Sequence, residues 1–116
     1  MLYTSYLGNK RNFPADAKVF YIMLGRGNDE VAPRKEDLEA FKSKQISWHE
    51  YARRYREKLE NIESWKWMER VAKLAKHETV ILCCYEKDPR YCHRTILLDR
   101  IKRLFPQTPI GGEYNA

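Results

Sequence analysis

Between Val80 and Arg94 the chain reads VILCCYEKDPRYCHR. All three of its cysteines, Cys83, Cys84 and Cys92, fall within ten residues there, beside Glu86, Asp88, Arg90, His93 and Arg94. Thiols, an imidazole, carboxylates and guanidiniums at such spacing allow four kinds of chemistry. A metal site would use Cys84, Cys92 and His93, because zinc accepts Cys and His. The short C-x-x-C pairs of structural zinc sites are missing, and a fourth ligand would have to come from His49, His77 or a distant carboxylate. No metal is therefore expected. A Cys84–Cys92 disulfide would join a strand end to a helix start, against the reducing conditions of the cytoplasm. Cys84 to Arg90 spells C-x5-R, the frame of an oxyanion-binding loop around a thiolate. Its intervening YEKDP puts Glu86 and Asp88 into that cradle, and Pro89 removes an amide donor.

The fourth chemistry is acid–base work. Glu86 would act as general base or nucleophile, His93 as proton carrier and Arg94 as a planar clamp for an anion. Cys92 belongs beside them. Cys83 and Cys84 are adjacent on a strand, so they point to opposite faces and read mainly as packing residues. The catalytic set is thus Glu86, Cys92, His93 and Arg94. Cys84, Tyr85, Asp88 and Arg90 complete the surface that meets a ligand. A purely structural reading competes: a satisfied buried His93, and an Arg94 that pairs with Glu86 or Asp88 to fix the loop.

Such residues need a scaffold. TVILCCY (79–85) lacks polar alternation, as expected of a strand covered on both faces in a parallel sheet. Asp88 and Pro89 read as a helix N-cap and first helical residue, with the helix running to about Leu104 and ending before Pro106. LYTSYL (2–7) and KVFYIML (18–24) read as strands, joined by the loop GNKRNFPADA. GRGNDEVAP (25–33) is a second loop, and a helix is expected through RKEDLEAFKSK. SWHE (47–50) has the form of a capping box. The helix after it would bury Trp48, Tyr51, Ala52, Tyr55 and Leu59 on one face. A further helix from about Ile62 to His77 would bury Trp65, Met68, Val71, Ala72 and Ala75. The tail PQTPIGGEYNA is expected to be loop. Alternating strands and helices predict one α/β layered domain over residues 1–116, with a mostly parallel central sheet flanked by helices. In such sheets ligands lie beyond the carboxyl ends of the strands. The cysteine-rich stretch is a strand's carboxyl end, followed by a helix start that favours anions.

Composition narrows the partners. With 116 residues and a hydrophobic fraction of 43%, the chain suits one folded domain. No apolar run reaches the length of a membrane span, and no signal-peptide core is visible, so a cytoplasmic address without membrane is expected. Lys plus Arg is 22 against 16 acidic residues, a formal charge of +6. That favours an anionic small molecule or nucleic acid as partner. A nucleic-acid face would be built from Lys10, Arg11, Arg53, Arg54, Arg56, Lys102 and Arg103. The charged fraction of a third resembles thermophile usage. No cofactor fingerprint is present, and none is expected.

CCYEKDPRYCHR resembles the signature of the family of domain of unknown function 488, C-x-E-x-x-P-x-x-C-H-R. Cys84, Glu86, Pro89, Cys92, His93 and Arg94 fill its positions. ISWHEYARRYREKL and LYTSY resemble the family's segment before the signature and its opening strand. The resemblance implies an α/β protein without an agreed activity. It also implies that these positions form a site. An enzyme acting on a phosphate-bearing or nucleotide-like compound, with Arg94 on the anion, and a non-catalytic nucleic-acid-binding module are the two functional expectations.

Overall fold

The computed structural model describes residues 1–115 as a four-stranded, all-parallel sheet with helices packed on it. The strands are β1 (Leu2–Tyr6), β2 (Lys18–Tyr21), β3 (Val80–Cys84) and β4 (Ile110–Glu113), in spatial order β2-β3-β1-β4. The helices are α1 (Lys35–Lys42), α2 (Trp48–Lys58), α3 (Ile62–Leu74) and α4 (His93–Leu104). None is long and apolar enough to cross a membrane.

β3 is an interior strand and every residue of it is buried, which explains its unbroken apolar run. Its register pairs Tyr6 with Cys84 on one side and Tyr21 with Cys83 on the other. The chain after β2 stays bound at that level, because the Ile22 amide donates to the Cys83 carbonyl at 3.0 Å. The carboxyl ends of β1, β2 and β3 therefore finish together beneath the cysteine-rich stretch.

α2 begins as its sequence implies: the Glu50 amide donates to the Ser47 hydroxyl at 3.1 Å. The reciprocal half of the expected box is replaced. The Glu50 carboxylate instead accepts from Arg53 and Arg54, whose guanidiniums hold its pKa down to about 2. Ser47→Ala should cost about 0.5–2 kcal/mol, the usual range for a lost N-cap. Urea unfolding should show it as a lower midpoint with an unchanged slope.

Three local expectations are corrected. The fourth helix starts at His93, not at Pro89. Pro89–Tyr91 form a single 3-10 turn, capped by the Asp88 carboxylate on the Arg90 amide, and extended backbone at Cys92 separates the two. The buried tryptophan of α3 is Trp67, while Trp65 is 38% exposed. The tail is not all loop. Ile110–Glu113 adds β4 at the sheet edge, with a register shift against β1 and Gly112 at φ +79°. Gly111 lies directly under the Tyr3 ring, which leaves no room for a Cβ. Paired glycines give no strand signal, but here they admit the irregularity and the close approach.

Candidate functional site

The 3-10 turn and the extended residue Cys92 fold the cysteine-rich stretch back over the end of β3. Cys84, from the strand, then meets Cys92 and His93, from the start of α4. One potential ligand atom of each lies within 4.8 Å of the others, and all three residues are buried. Cys84 Sγ is 3.6 Å from His93 Nδ1. Nε2 is 2.8 Å from the Ile22 carbonyl oxygen. A carbonyl can only accept, so Nε2 carries a proton and donates. In the neutral ring Nδ1 is then the bare nitrogen, and the Cys84 sulfur lies beside both ring nitrogens, 3.6 Å from Nδ1 and 3.9 Å from Nε2. The Tyr55 ring packs against the imidazole in a T-shaped contact, 5.2 Å between centroids. Tyr55 is itself tied down by donation to the Val31 carbonyl at 2.6 Å.

All three cysteines are free thiols. Hydrogen bonding from Cys84, helped by His93 and the Arg94 amide, holds the Cys92 thiol well below its ordinary range despite burial. The same bond, with burial, pushes Cys84 far up. Cys83 faces the other side of the sheet, where burial raises its thiol to about 11. It is a packing residue.

A cleft of about 150 Å³ opens over this trio. Met23, Leu24, Pro33, Leu38 and Phe41 form its apolar side, and Tyr51, Tyr85 and Tyr91 contribute rings. Phe41 and Tyr51 are stacked, with centroids 4.9 Å apart and planes 14° apart. The polar groups on its walls include Glu86 and Lys42. Neither has an ion-pair partner among the described residues.

Five of the eight residues expected from the sequence thus line one cleft: Cys84, Tyr85, Glu86, Cys92 and His93. The other three do not. Asp88 and Arg90 are paired with each other at 2.8 Å outside it, and Arg90 holds the Asp88 carboxyl below its usual range. Arg94 has no exposed surface at all. Its guanidinium donates to the Glu113 carboxylate at 2.8 Å, to the Lys87 carbonyl at 3.1 Å and to the Glu86 carbonyl. Glu113 also accepts from the Thr4 hydroxyl. Arg94 therefore lies beneath the loop and holds it, and it is not among the residues that line the cleft. Its carboxylate partner is in β4, the strand read as loop, so neither Glu86 nor Asp88 is its side-chain partner.

Several residues of the site lay outside the sequence reading. Tyr51 and Tyr55 were legible as the buried face of α2, but not as neighbours of His93. The Ile22 carbonyl, Phe41 and Lys42 carry no signal in one dimension. Of the basic residues considered for a nucleic-acid face, Arg53, Arg54 and Arg103 are engaged by carboxylates.

No curated protein and no solved structure matches the chain. The family model described as "Domain of unknown function DUF488" matches residues 9–101, a span that holds every cleft residue. This chain belongs to the DUF488 family.

Proposed function

We propose that the protein is an enzyme acting on a small anionic molecule with a flat, nucleotide-like ring, bound in the cleft over Cys84, Cys92 and His93. One observation carries the reading: side chains from residues 84–93 open into a single, largely apolar cleft at the carboxyl ends of parallel strands. Clefts of that kind, with a few converging polar groups, are the usual form of small-molecule sites in open α/β sheets. The Phe41–Tyr51 pair and Tyr91 offer aromatic faces to a planar ring. Lys42 is the cation on the wall and takes the anionic group, the part that the sequence suggested for Arg94. Glu86 is a carboxylate without an ion-pair partner, free to accept a proton from a bound molecule. His93 lies at the floor with its tautomer fixed by Ile22.

Thermal-shift titration with nucleoside mono- and diphosphates, sugar phosphates and inorganic phosphate tests this. A nucleotide should raise Tm more than phosphate alone does. Lys42→Ala should weaken its binding about tenfold, the loss of one charge-assisted hydrogen bond at a partly solvated position. Glu86→Gln should keep the shift and abolish turnover. If none of these compounds shifts Tm, while single-stranded nucleic acid binds with a steep salt dependence, the enzyme reading gives way to the binding module.

A further inference from the structure

We infer that Cys84, Cys92 and His93 form a binding site for one zinc-type divalent cation, with its fourth coordination position open to the cleft. The spacing of these residues argues against a structural zinc site. That argument concerns closed sites with four protein ligands. Three protein ligands and one open position is the pattern of catalytic zinc, and Cys2His is among its known ligand sets.

Four features of the trio point to an ion. The first is distance. Zinc–sulfur and zinc–nitrogen bonds of about 2.3 and 2.05 Å at a tetrahedral angle put sulfur and nitrogen about 3.6 Å apart. Cys84 Sγ and His93 Nδ1 are 3.6 Å apart, and the Cys92 sulfur falls within 4.8 Å of the group. The second is the direction of the imidazole. A metal-binding histidine commonly donates its other N–H to a backbone carbonyl, which fixes the ring and leaves the ligating nitrogen bare. His93 Nε2 donates to Ile22 at 2.8 Å and leaves Nδ1 bare, 3.6 Å from the Cys84 sulfur. Tyr55, held through Val31, packs against the ring in a T-shaped contact.

The third feature is charge balance. A divalent cation takes up the site by displacing one proton from each thiol to solvent, and the two thiolates then neutralise it. Nearby Arg94 does not oppose this, because Glu113 already balances it at 2.8 Å. The fourth is access. All three ligands line the cleft, so an ion among them has one side toward it, within the same cavity wall as Glu86 and Tyr51. A bound cation there would supply a Lewis acid to a water or substrate oxygen. His49 and His77 are exposed and stand apart from the cluster, so no fourth protein ligand closes the site among the described residues. This inference goes beyond the proposed function and stands whether or not a nucleotide binds.

The test uses the full chain, with three reduced thiols verified by titration, stripped with chelator and then titrated with cobalt(II) and zinc. One equivalent of cobalt should produce a thiolate charge-transfer band and tetrahedral visible bands, and zinc should displace it. Zinc should raise Tm, and chelator should reverse the rise. Cys84→Ala and Cys92→Ala should each lose the charge-transfer intensity, whereas Cys83→Ala should retain it. The wild-type spectrum and Tm shift keep the test decisive even if a cysteine variant fails to fold. A fully reduced wild type that gives no cobalt–thiolate band and no zinc-dependent shift overturns the site. So does a band that survives in both cysteine variants. The nucleotide titration repeated in chelator separates the two proposals: a shift that persists there leaves the cleft reading intact when the metal site fails.

Discussion

Arg94→Ala should destabilise the protein by about 3–5 kcal/mol, the cost of removing one member of a buried, hydrogen-bonded ion pair. For a domain of this size that is a fall in Tm of roughly 12–20 °C. The physical reason is what remains behind. Glu113 would keep its charge beside Thr4 without a counterion, and the Glu86 and Lys87 carbonyls would lose their donors. β4 would lose its side-chain link to α4, and the loop over the cleft would lose its support. Arg94→Lys should rescue little, because an ammonium group cannot serve a carboxylate and two carbonyls in the guanidinium's planar geometry. Glu113→Gln should be milder than Arg94→Ala, since the amide oxygen still accepts. Thermal unfolding followed by circular dichroism reads all three. An Arg94→Ala protein of unchanged Tm that had lost only anion binding would instead restore the clamp role suggested by the sequence.

The second large effect is expected at Trp67, and it separates two neighbouring tryptophans. Trp67 is 1% exposed, packs edge-on against Phe20 at 5.6 Å and donates to Asn28 at 3.1 Å. Asn28 in turn donates to the Tyr21 carbonyl at 2.9 Å. The indole thus ties α3 to the end of β2 and to the loop that follows it. Trp67→Ala should cost about 3–5 kcal/mol, the range for large core aromatics, and leaves Asn28 without its donor. Trp65→Ala removes a half-exposed ring that meets Phe105 at 5.4 Å, so its cost should be about 0.5–1.5 kcal/mol. Urea unfolding of the two variants gives the comparison. Equal losses would mean that the α3 face is not buried as described.

The residues that line the cleft and those that hold its loop are different. Cys84, Cys92, His93 and Glu86 face the cavity, whereas Arg94, its neighbour in the chain, faces the underside of the loop. Adjacent residues at the start of a helix point about a quarter-turn apart, so one short stretch can hold both kinds. Substitutions at His93 and Arg94 should accordingly separate: the first changes the site, and the second changes the fold that carries it.

The sequence by itself determined the elements whose signal is local. β3 was legible because a strand buried on both faces must be apolar throughout. The α2 start was legible because Ser47 caps its own helix three residues on. The parallel α/β class followed from the alternation of elements, and the place of the cleft followed from where β3 ends. β4 was not legible, since its two glycines owe their conformation to the Tyr3 ring and to the β1 edge. The choice of Trp67 over Trp65 turned on a small rotation of α3 that the sheet surface sets. Only the tertiary structure decided what the signature residues do with their polar atoms. Arg94 turns to Glu113 because β4 lies beside β1, 19 residues further along the chain. His93 carries its proton on Nε2 because the chain leaving β2 brings the Ile22 carbonyl to that nitrogen, 71 residues away. Hydrogen-bond partners at such separations are fixed by packing, and residue spacing carries no record of them.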